Sequence, residues 1–416
     1  AELAYASTVK QSLRIPARAM AELSRAAETS PGCALVLGAG AQGLTCALRL
    51  WAQGWRVVVL ASGHLDETTS WGAGAIWEYP PFHVEPQQHA QRWVVASRVP
   101  FIALGQRCGA AECGVRVRRS YYLYRSESEF RRAFQAASDP PGAAPDIREG
   151  LPPASALNPS GPHKFAFSYA APVVCMSKYL PWLSGRVAAL GVRLERASLA
   201  SVDDVASARR EHGADLVVNC LGLGAGKVFG DAAMHGVIGD LVYIRAPGVE
   251  EKLDLAAVSD EEHPDGLAYI VAQCDGILAL AGTAEEHTAE AESAASVDAR
   301  RRGILKRCRE VFGQELVGGE VLGSWTGMRP QRHGGIRLEL ERLNPVVGAP
   351  LIHNYGHGGS GVVLSWGCAA DVARLAMDAV ESAGIRLCPR ELPSDLGAAV
   401  HATSSGAAPH TARARL

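Results

Sequence analysis

The sequence lacks a dominant charge. Against 41 Lys+Arg stand 43 Asp+Glu, a formal net charge of −2 over 416 residues. A chain this close to neutral does not bind nucleic acid by neutralising phosphates. It lacks any run of about eighteen uncharged apolar residues, so no segment reads as a membrane-spanning helix. It also lacks CxxC spacing among its 10 cysteines. Cys108 and Cys113 are the closest pair, and with no histidine near them metal ligation is not expected. Cys46, Cys220 and Cys368 lie inside apolar segments, where a small thiol packs well, and the pattern suits a reducing compartment better than a disulfide scaffold. Apolar residues are not scarce: 48% hydrophobic against 20% charged excludes wholesale disorder. At this length two domains are expected.

Glycine is abundant, with 44 residues gathered in clusters. Clusters of the residue that loses most entropy on folding mark tight turns or backbone close to a ligand. The first follows an apolar strand over 33–37 and reads Gly38-Ala39-Gly40-Ala41-Gln42-Gly43. Leu44, Ala47, Leu48 and Trp51 then recur at helical spacing, Gly54 ends the helix, and 56–60 forms a second strand. This is GxGxxG in the βαβ context it demands. Gly38 permits the turn, Gly40 lets backbone approach a pyrophosphate, and Gly43 lets helix pack on strand. The helix N-terminus presents free N–H groups to phosphate. The acid that usually ends the second strand is missing, and Ala61-Ser62 stands there. Either Ser62 and backbone serve the ribose, or the nucleotide is held differently.

A second strand-and-glycine junction runs from Leu216 to Gly226, with Gly222 in its turn. It reads as backbone near the same cofactor, as a second dinucleotide site, or as a structural turn. A third joins the strand 351–355 to Gly356-His357-Gly358-Gly359-Ser360-Gly361 and a long helix. His353 and His357 read as hydrogen-bonded structural histidines. Upstream, Gly327-Met328-Arg329-Pro330 carries an Arg fork suited to a carboxylate, with a surface ion pair as the rival reading.

Together, Leu37-Gly38-Ala39-Gly40 with Gly43, Ala73-Gly74-Ala75-Ile76-Trp77, Gly327-Met328-Arg329-Pro330, and His353-Asn354-Tyr355-Gly356-His357-Gly358-Gly359 resemble the D-amino-acid oxidase family. The resemblance extends to Leu216–Gly226 and to Ser365-Trp366-Gly367-Cys368-Ala369, and covers about residues 33 to 385.

The resemblance implies an α/β fold: a Rossmann-like FAD-binding domain with an interleaved α+β substrate domain built on an antiparallel sheet. The expected division is an N-terminal extension over 1–32, an FAD domain of 33–95, 175–235 and 325–388, a substrate domain of 96–174 and 236–324, and a flexible tail over 389–416. FAD is the implied cofactor, held without a covalent bond. Its expected contacts are Gly38, Ala39, Gly40, Gly43, Ala61, Ser62, Thr69, Gly74, Ala75, Leu199, Gly222, Gly358, Gly359 and Gly361. Arg329 and Tyr269 would clamp the substrate carboxylate, and the Gly359 carbonyl would receive its amino group. Trp77, Glu78 and Ser360 would line the substrate pocket. No metal is expected.

The implied reaction is oxidative deamination of a D-amino acid, by hydride transfer to flavin N5 and reoxidation by dioxygen with release of hydrogen peroxide. Alternatives are a D-aspartate oxidase, a flavin-binding protein without turnover, and an NAD-linked dehydrogenase, the last disfavoured by Ala61-Ser62. Seven acids between Val249 and Gly266 (Glu250, Glu251, Asp254, Asp260, Glu261, Glu262 and Asp265) read as a solvated loop. With Glu78 they point to neutral or basic D-amino acids rather than D-aspartate. The C-terminal Ala414-Arg415-Leu416 resembles a peroxisomal address and implies an import receptor as partner. The cytoplasm is the other compartment considered, and a homodimer is a candidate assembly. A peripheral helix is expected over 9–25.

Overall fold

The structure is a computed structural model that describes residues 31–81, 84–139, 144, 146–249, 253–286, 293–383 and 385–401. The expected helix over 9–25 and the Ala414-Arg415-Leu416 address lie outside them.

A six-stranded sheet is built from β1 (Cys33–Leu37), β2 (Arg56–Ala61), β6 (Arg193–Arg196), β7 (Leu216–Asn219), β14 (Arg337–Asn344) and β15 (Ala349–Tyr355). Its order is β14-β15-β7-β1-β2-β6, and all neighbours but β14 and β15 run parallel. The apolar run of β1 is buried on both faces, as a parallel strand should be. Ala34 and Val36 pack with Leu44, Leu48, Leu180, Leu183 and Trp366 on one face. Cys33, Leu35 and Leu37 pack with Val205 and Val228 on the other. Helices Ala41–Ala52, Met176–Ala189 and Gly361–Ala383 thus cover one side and Val202–His212 the other.

The second sheet has nine strands. They are β3 (Val115–Tyr124), β4 (Arg148–Glu149), β5 (Phe165–Val174), β8 (Met234–Arg245), β9 (Leu255–Asp260), β10 (Ala268–Ala272), β11 (Ile277–Ala281), β12 (Glu285–Glu286) and β13 (Val321–Arg332). The order is β12-β8-β11-β10-β9-β3-β5-β4, with β13 added along β8. All pairings are antiparallel except β3 with β9. Ile270, Leu280 and Val242 face helix Ala294–Val311 through Ile304 and Cys308. The alternate residues face the first sheet.

Three expectations from the sequence need correction. Residues 325–332 belong to β13 and pair with β8 in the second sheet, not with the nucleotide-binding sheet. Pro330 fits there because β13 has a strand on one side only, so no partner needs its missing N–H. The expected flexible tail contains a packed helix: Ser394–His401 buries Leu396, Ala399 and Val400 in the main core. The acidic stretch is not one solvated loop, because Leu255–Asp260 is an inner strand and Asp260 is fully buried.

Candidate active site

The carboxyl ends of β1, β2 and β7 open on a cavity of about 690 Å³, with the second sheet as its other wall. That is where an open α/β sheet binds ligands. The three glycine clusters converge there. Gly38, Ala39 and Gly40 line it after β1, Gly222 and Gly224 after β7, and Gly358, Gly359 and Gly361 after β15. Gly38 has φ +102°, and a Cβ there would lie 2.5 Å from the Cys220 carbonyl oxygen. Ala61, Ser62, Thr69, Gly74, Ala75 and Leu199 also line the cavity. Gly43 does not: it lies behind the turn, where a Cβ would sit 1.8 Å from the Gly38 oxygen, so it serves helix packing rather than ligand contact.

The first turns of helices Ala41–Ala52 and Gly361–Ala383 hold no acid. Their N–H groups and dipoles are therefore left to a ligand anion. Asn354 Oδ1 and His357 Nε2 are buried polar atoms without a hydrogen-bond partner among the described residues, and both side chains belong to the lining. This corrects the reading of His357 as hydrogen-bonded. Burial holds its imidazole down to about 3, so it is neutral. His353 meets Asn219 Nδ2 through Nδ1 at 3.3 Å and keeps its structural role. Close-approach glycines, two bare helix N-termini and unsatisfied polar atoms together fit a dinucleotide cofactor such as FAD.

Strand periodicity fills the opposite wall. Ser120 and Tyr122 of β3, Ala257 and Ser259 of β9, Tyr269 of β10, and Val237, Gly239 and Leu241 of β8 all face the cavity. The i, i+2 spacing is the pleat. Glu261, one residue beyond β9, continues the Ala257-Ser259 row into the cavity. Asp260 faces the other way, where Arg125 and His163 hold it at 2.5 and 2.9 Å.

Arg329 is not at a surface ion pair. Its Nη1 donates to the carbonyls of Ile238 and Thr283, both at 2.8 Å. A Cβ on Gly239 would lie 2.7 Å from its Cζ, so the guanidinium rests on that glycine. Tyr269 lines the same cavity, close enough for its hydroxyl to feel the Arg329 charge. Burial pushes the Tyr269 hydroxyl up and Arg329 opposes the shift, so the phenol stays protonated. A Cβ on Gly359 would be 3.4 Å from Arg329 Cδ. The three residues expected to handle substrate are thus brought together, and Ser360 lines the same cavity.

Trp77 and Glu78 separate. The segment 75–79 runs along β5, with Trp77 N–H donating to Pro172 at 2.8 Å and Ile76 bridged to Val173. Ile76 and Glu78 therefore face the cavity, while Trp77 and Tyr79 point into a separate core. Trp77 is fully buried, its Nε1 donating to the Val94 carbonyl at 2.8 Å, and it is not a pocket residue. Glu78 lines the cavity near Tyr122, whose hydroxyl lies 2.6 Å from that of Tyr169. Burial, and then the charge of Glu261, pushes the Glu78 carboxyl up to about 8. Glu261 lines the cavity while remaining solvent-exposed, and it too is raised, by burial and then by Asp260 and Glu262.

Residues to which the sequence reading gives no role include Ser70, Gln42, Thr283 and Tyr122. Ser70 Oγ accepts from Ala41 N–H at 3.2 Å, and Gln42 Nε2 ties the two helix N-termini together through the Gly361 carbonyl at 2.8 Å. Ser70 lies in no motif, and Gln42 is only a variable position of GxGxxG; the βαβ geometry, which puts it at the helix N-terminus, is the signal that could have singled it out. Strand alternation could have suggested Tyr122.

The family described as FAD dependent oxidoreductase matches residues 34–375. A D-amino-acid oxidase of Rubrobacter xylanophilus is 34% identical over 343 residues, covering 82% of this chain and 95% of that protein. A D-amino-acid oxidase of Streptomyces coelicolor is 36% identical over 345 residues, covering 83% of this chain and 97% of that protein. A solved glycine oxidase from Bacillus cereus has a TM-score of 0.64 at 16% identity, covering 87% of this chain and 100% of that one. That likeness speaks for the fold alone. Similarity to bacterial proteins gives the peroxisomal address no support. No helix among the described residues is long and apolar enough to cross a membrane.

Proposed function

The chain belongs to the family of FAD-dependent oxidoreductases that includes the D-amino-acid oxidases, and from that membership we propose that it oxidises neutral or basic D-amino acids. One D-amino acid, one dioxygen and one water give a 2-oxo acid, ammonia and hydrogen peroxide. The observation that carries this reading is the meeting of Arg329, Tyr269 and Gly359 where the two sheets face each other.

Two carbonyls fix the inner edge of the Arg329 guanidinium. Its remaining donors and the Tyr269 hydroxyl hold the substrate α-carboxylate. The Gly359 carbonyl accepts from the α-amino group. The α-carbon is thereby fixed at three points, which supplies orientation rather than acid or base strength. The α-hydrogen leaves with its electron pair, so no side chain has to take a proton from carbon. FAD, when bound, would supply the two-electron acceptor, with dioxygen as the final oxidant. Gly38, Gly40, Ser62, Gly222 and Gly361 are the contacts assigned to it. Glu78 and Glu261 repel an acidic side chain and weigh against D-aspartate as substrate. For the compartment, the bacterial relatives favour the cytoplasm over the peroxisome.

The test is spectroscopic. The purified protein is mixed without oxygen with D-alanine, D-lysine or their L-enantiomers, and the flavin band is followed. Bleaching by the D-forms alone, with peroxide released once air is admitted, is the expected result. A yellow protein that no D-amino acid bleaches would instead indicate flavin binding without turnover.

A further inference from the structure

The floor of the cavity carries a row of side chains set by strand register. Tyr122 pairs with Ser259 across β3 and β9, and Ser259 with Tyr269 across β9 and β10. Neighbouring strands lie ~4.8 Å apart, so Tyr122 stands roughly 10 Å from Tyr269. Arg329 is at the Tyr269 end. Glu78 is at the Tyr122 end, with Glu261 beside it.

The acids around this end are not treated alike. Asp260 is paired with Arg125 and His163, and the Glu262 carboxylate accepts from Arg125 N–H at 2.6 Å. Glu261 lies between them in sequence and faces the other way. Among the described residues no cation pairs with it or with Glu78, and the charges that act on both are acidic. Two neighbouring carboxyl groups lining one cavity without a cation disfavour each other's ionised form. At the opposite end an anchored guanidinium calls for a carboxylate. One ligand answers both: an amino acid whose side chain ends in a cation. Extended lysine spans roughly 7 Å from carboxylate carbon to side-chain nitrogen, which fits the row.

We propose that Glu78 and Glu261 select the side chain of the substrate, holding the terminal ammonium or guanidinium of a long basic D-amino acid such as lysine, ornithine or arginine. This rests on the oxidase reading and adds the side chain to it. A hydrogen bond to a charged group contributes about 1.5–3 kcal/mol, and about 1.4 kcal/mol is tenfold. A neutral side chain of equal length lacks that contribution.

D-lysine and D-norleucine share chain length and α-groups and differ in the terminal amine, so kcat/KM is measured for both at pH 9. D-lysine is expected to lead by about tenfold or more. Glu78→Gln and Glu261→Gln are each expected to lower the D-lysine to D-norleucine ratio of kcat/KM severalfold, removing most of that lead whatever the absolute rates become. A wild-type preference for D-norleucine, or a ratio that neither variant moves, overturns the proposal. Calorimetry of 6-aminohexanoate against hexanoate on the FAD-loaded protein reads the same pocket without turnover. Tighter binding of the ω-amino acid, lost in Glu261→Gln, supports the acidic end even if no D-amino acid is oxidised, in which case only the oxidase reading falls. Equal binding of the two acids counts against it. Glu261→Gln changes a side chain open to the cavity, so its folding is not at stake if Glu78→Gln is poorly produced.

Discussion

A carboxyl group desolvated beside a second one keeps its proton to unusual pH. Glu78, pushed up to about 8, is neutral below that pH and anionic above it. Glu261, Tyr122, Tyr169, Tyr124 and Tyr269 are the titratable groups around it, and none supplies positive charge. The lysine ammonium stays cationic to about pH 10. The D-lysine to D-norleucine ratio of kcat/KM is therefore expected to rise between about pH 6.5 and 9 and to level off above. The shared α-amino group cancels in the ratio. A rise that persists unchanged in Glu78→Gln would assign the titration elsewhere. The same shift has a sign for stability. The folded state binds this proton more tightly than the unfolded chain, whose glutamate titrates near 4.5. The contribution is present below that value and is lost as pH rises through about 8.

At the scale of elements, glycine positions that look equivalent in a motif do different work. Gly40 faces the cavity, and the nearest atom to a Cβ there is Ser70 Oγ at 3.1 Å. A Cβ on Gly43 would meet backbone at 1.8 Å. Gly43→Ala is therefore expected to destabilise the apoprotein by about 1–3 kcal/mol, since helix and turn must separate. Gly40→Ala should leave apo Tm within about a degree and weaken FAD by about tenfold or more, through lost close approach. Thermal unfolding with and without FAD checks both; equal apo Tm values for the two variants would contradict the assignment. The first sheet was readable from sequence because β1, β2, β7 and β15 are short apolar runs that lead into glycine-containing turns; the exposed edge strand β6 is not. The second was less readable. Its strands are amphipathic, and β9 hides its burial behind an acidic stretch, since Asp260 is satisfied by Arg125 and His163 from distant segments. The pair Trp77 and Glu78 fails for a similar reason. Motif proximity put both in the pocket, and the pleat of segment 75–79 allows only one.

For the whole molecule, the two sheets meet around the cofactor cavity rather than across a simple linker. Thr69 Oγ1, from the nucleotide side, donates to the Met328 carbonyl of β13 at 3.1 Å. Gln331 bridges to His357, and Asp231 accepts from both Arg332 Nε at 2.8 Å and Tyr355 Oη at 2.7 Å. Segment 325–332 is thus the seam: it hydrogen-bonds with the second sheet, carries Arg329, and touches the first sheet's glycine loop. That explains why its sequence neighbourhood suggested the wrong domain. A ligand filling this seam should stabilise both sheets together. FAD at about a hundredfold above its Kd contributes about 2.7 kcal/mol. For a chain of 416 residues, the unfolding entropy makes that a rise of about 3 °C in Tm. Calorimetry is expected to show one transition that moves as a unit with FAD. Two transitions, with only one responding, would mean that the sheets unfold independently and that the seam couples them weakly. If the seam does couple them, Thr69→Val should narrow the FAD-dependent rise, because it removes the hydroxyl that links the cofactor loop to β13 while leaving the glycine turn and the Arg329 anchor in place.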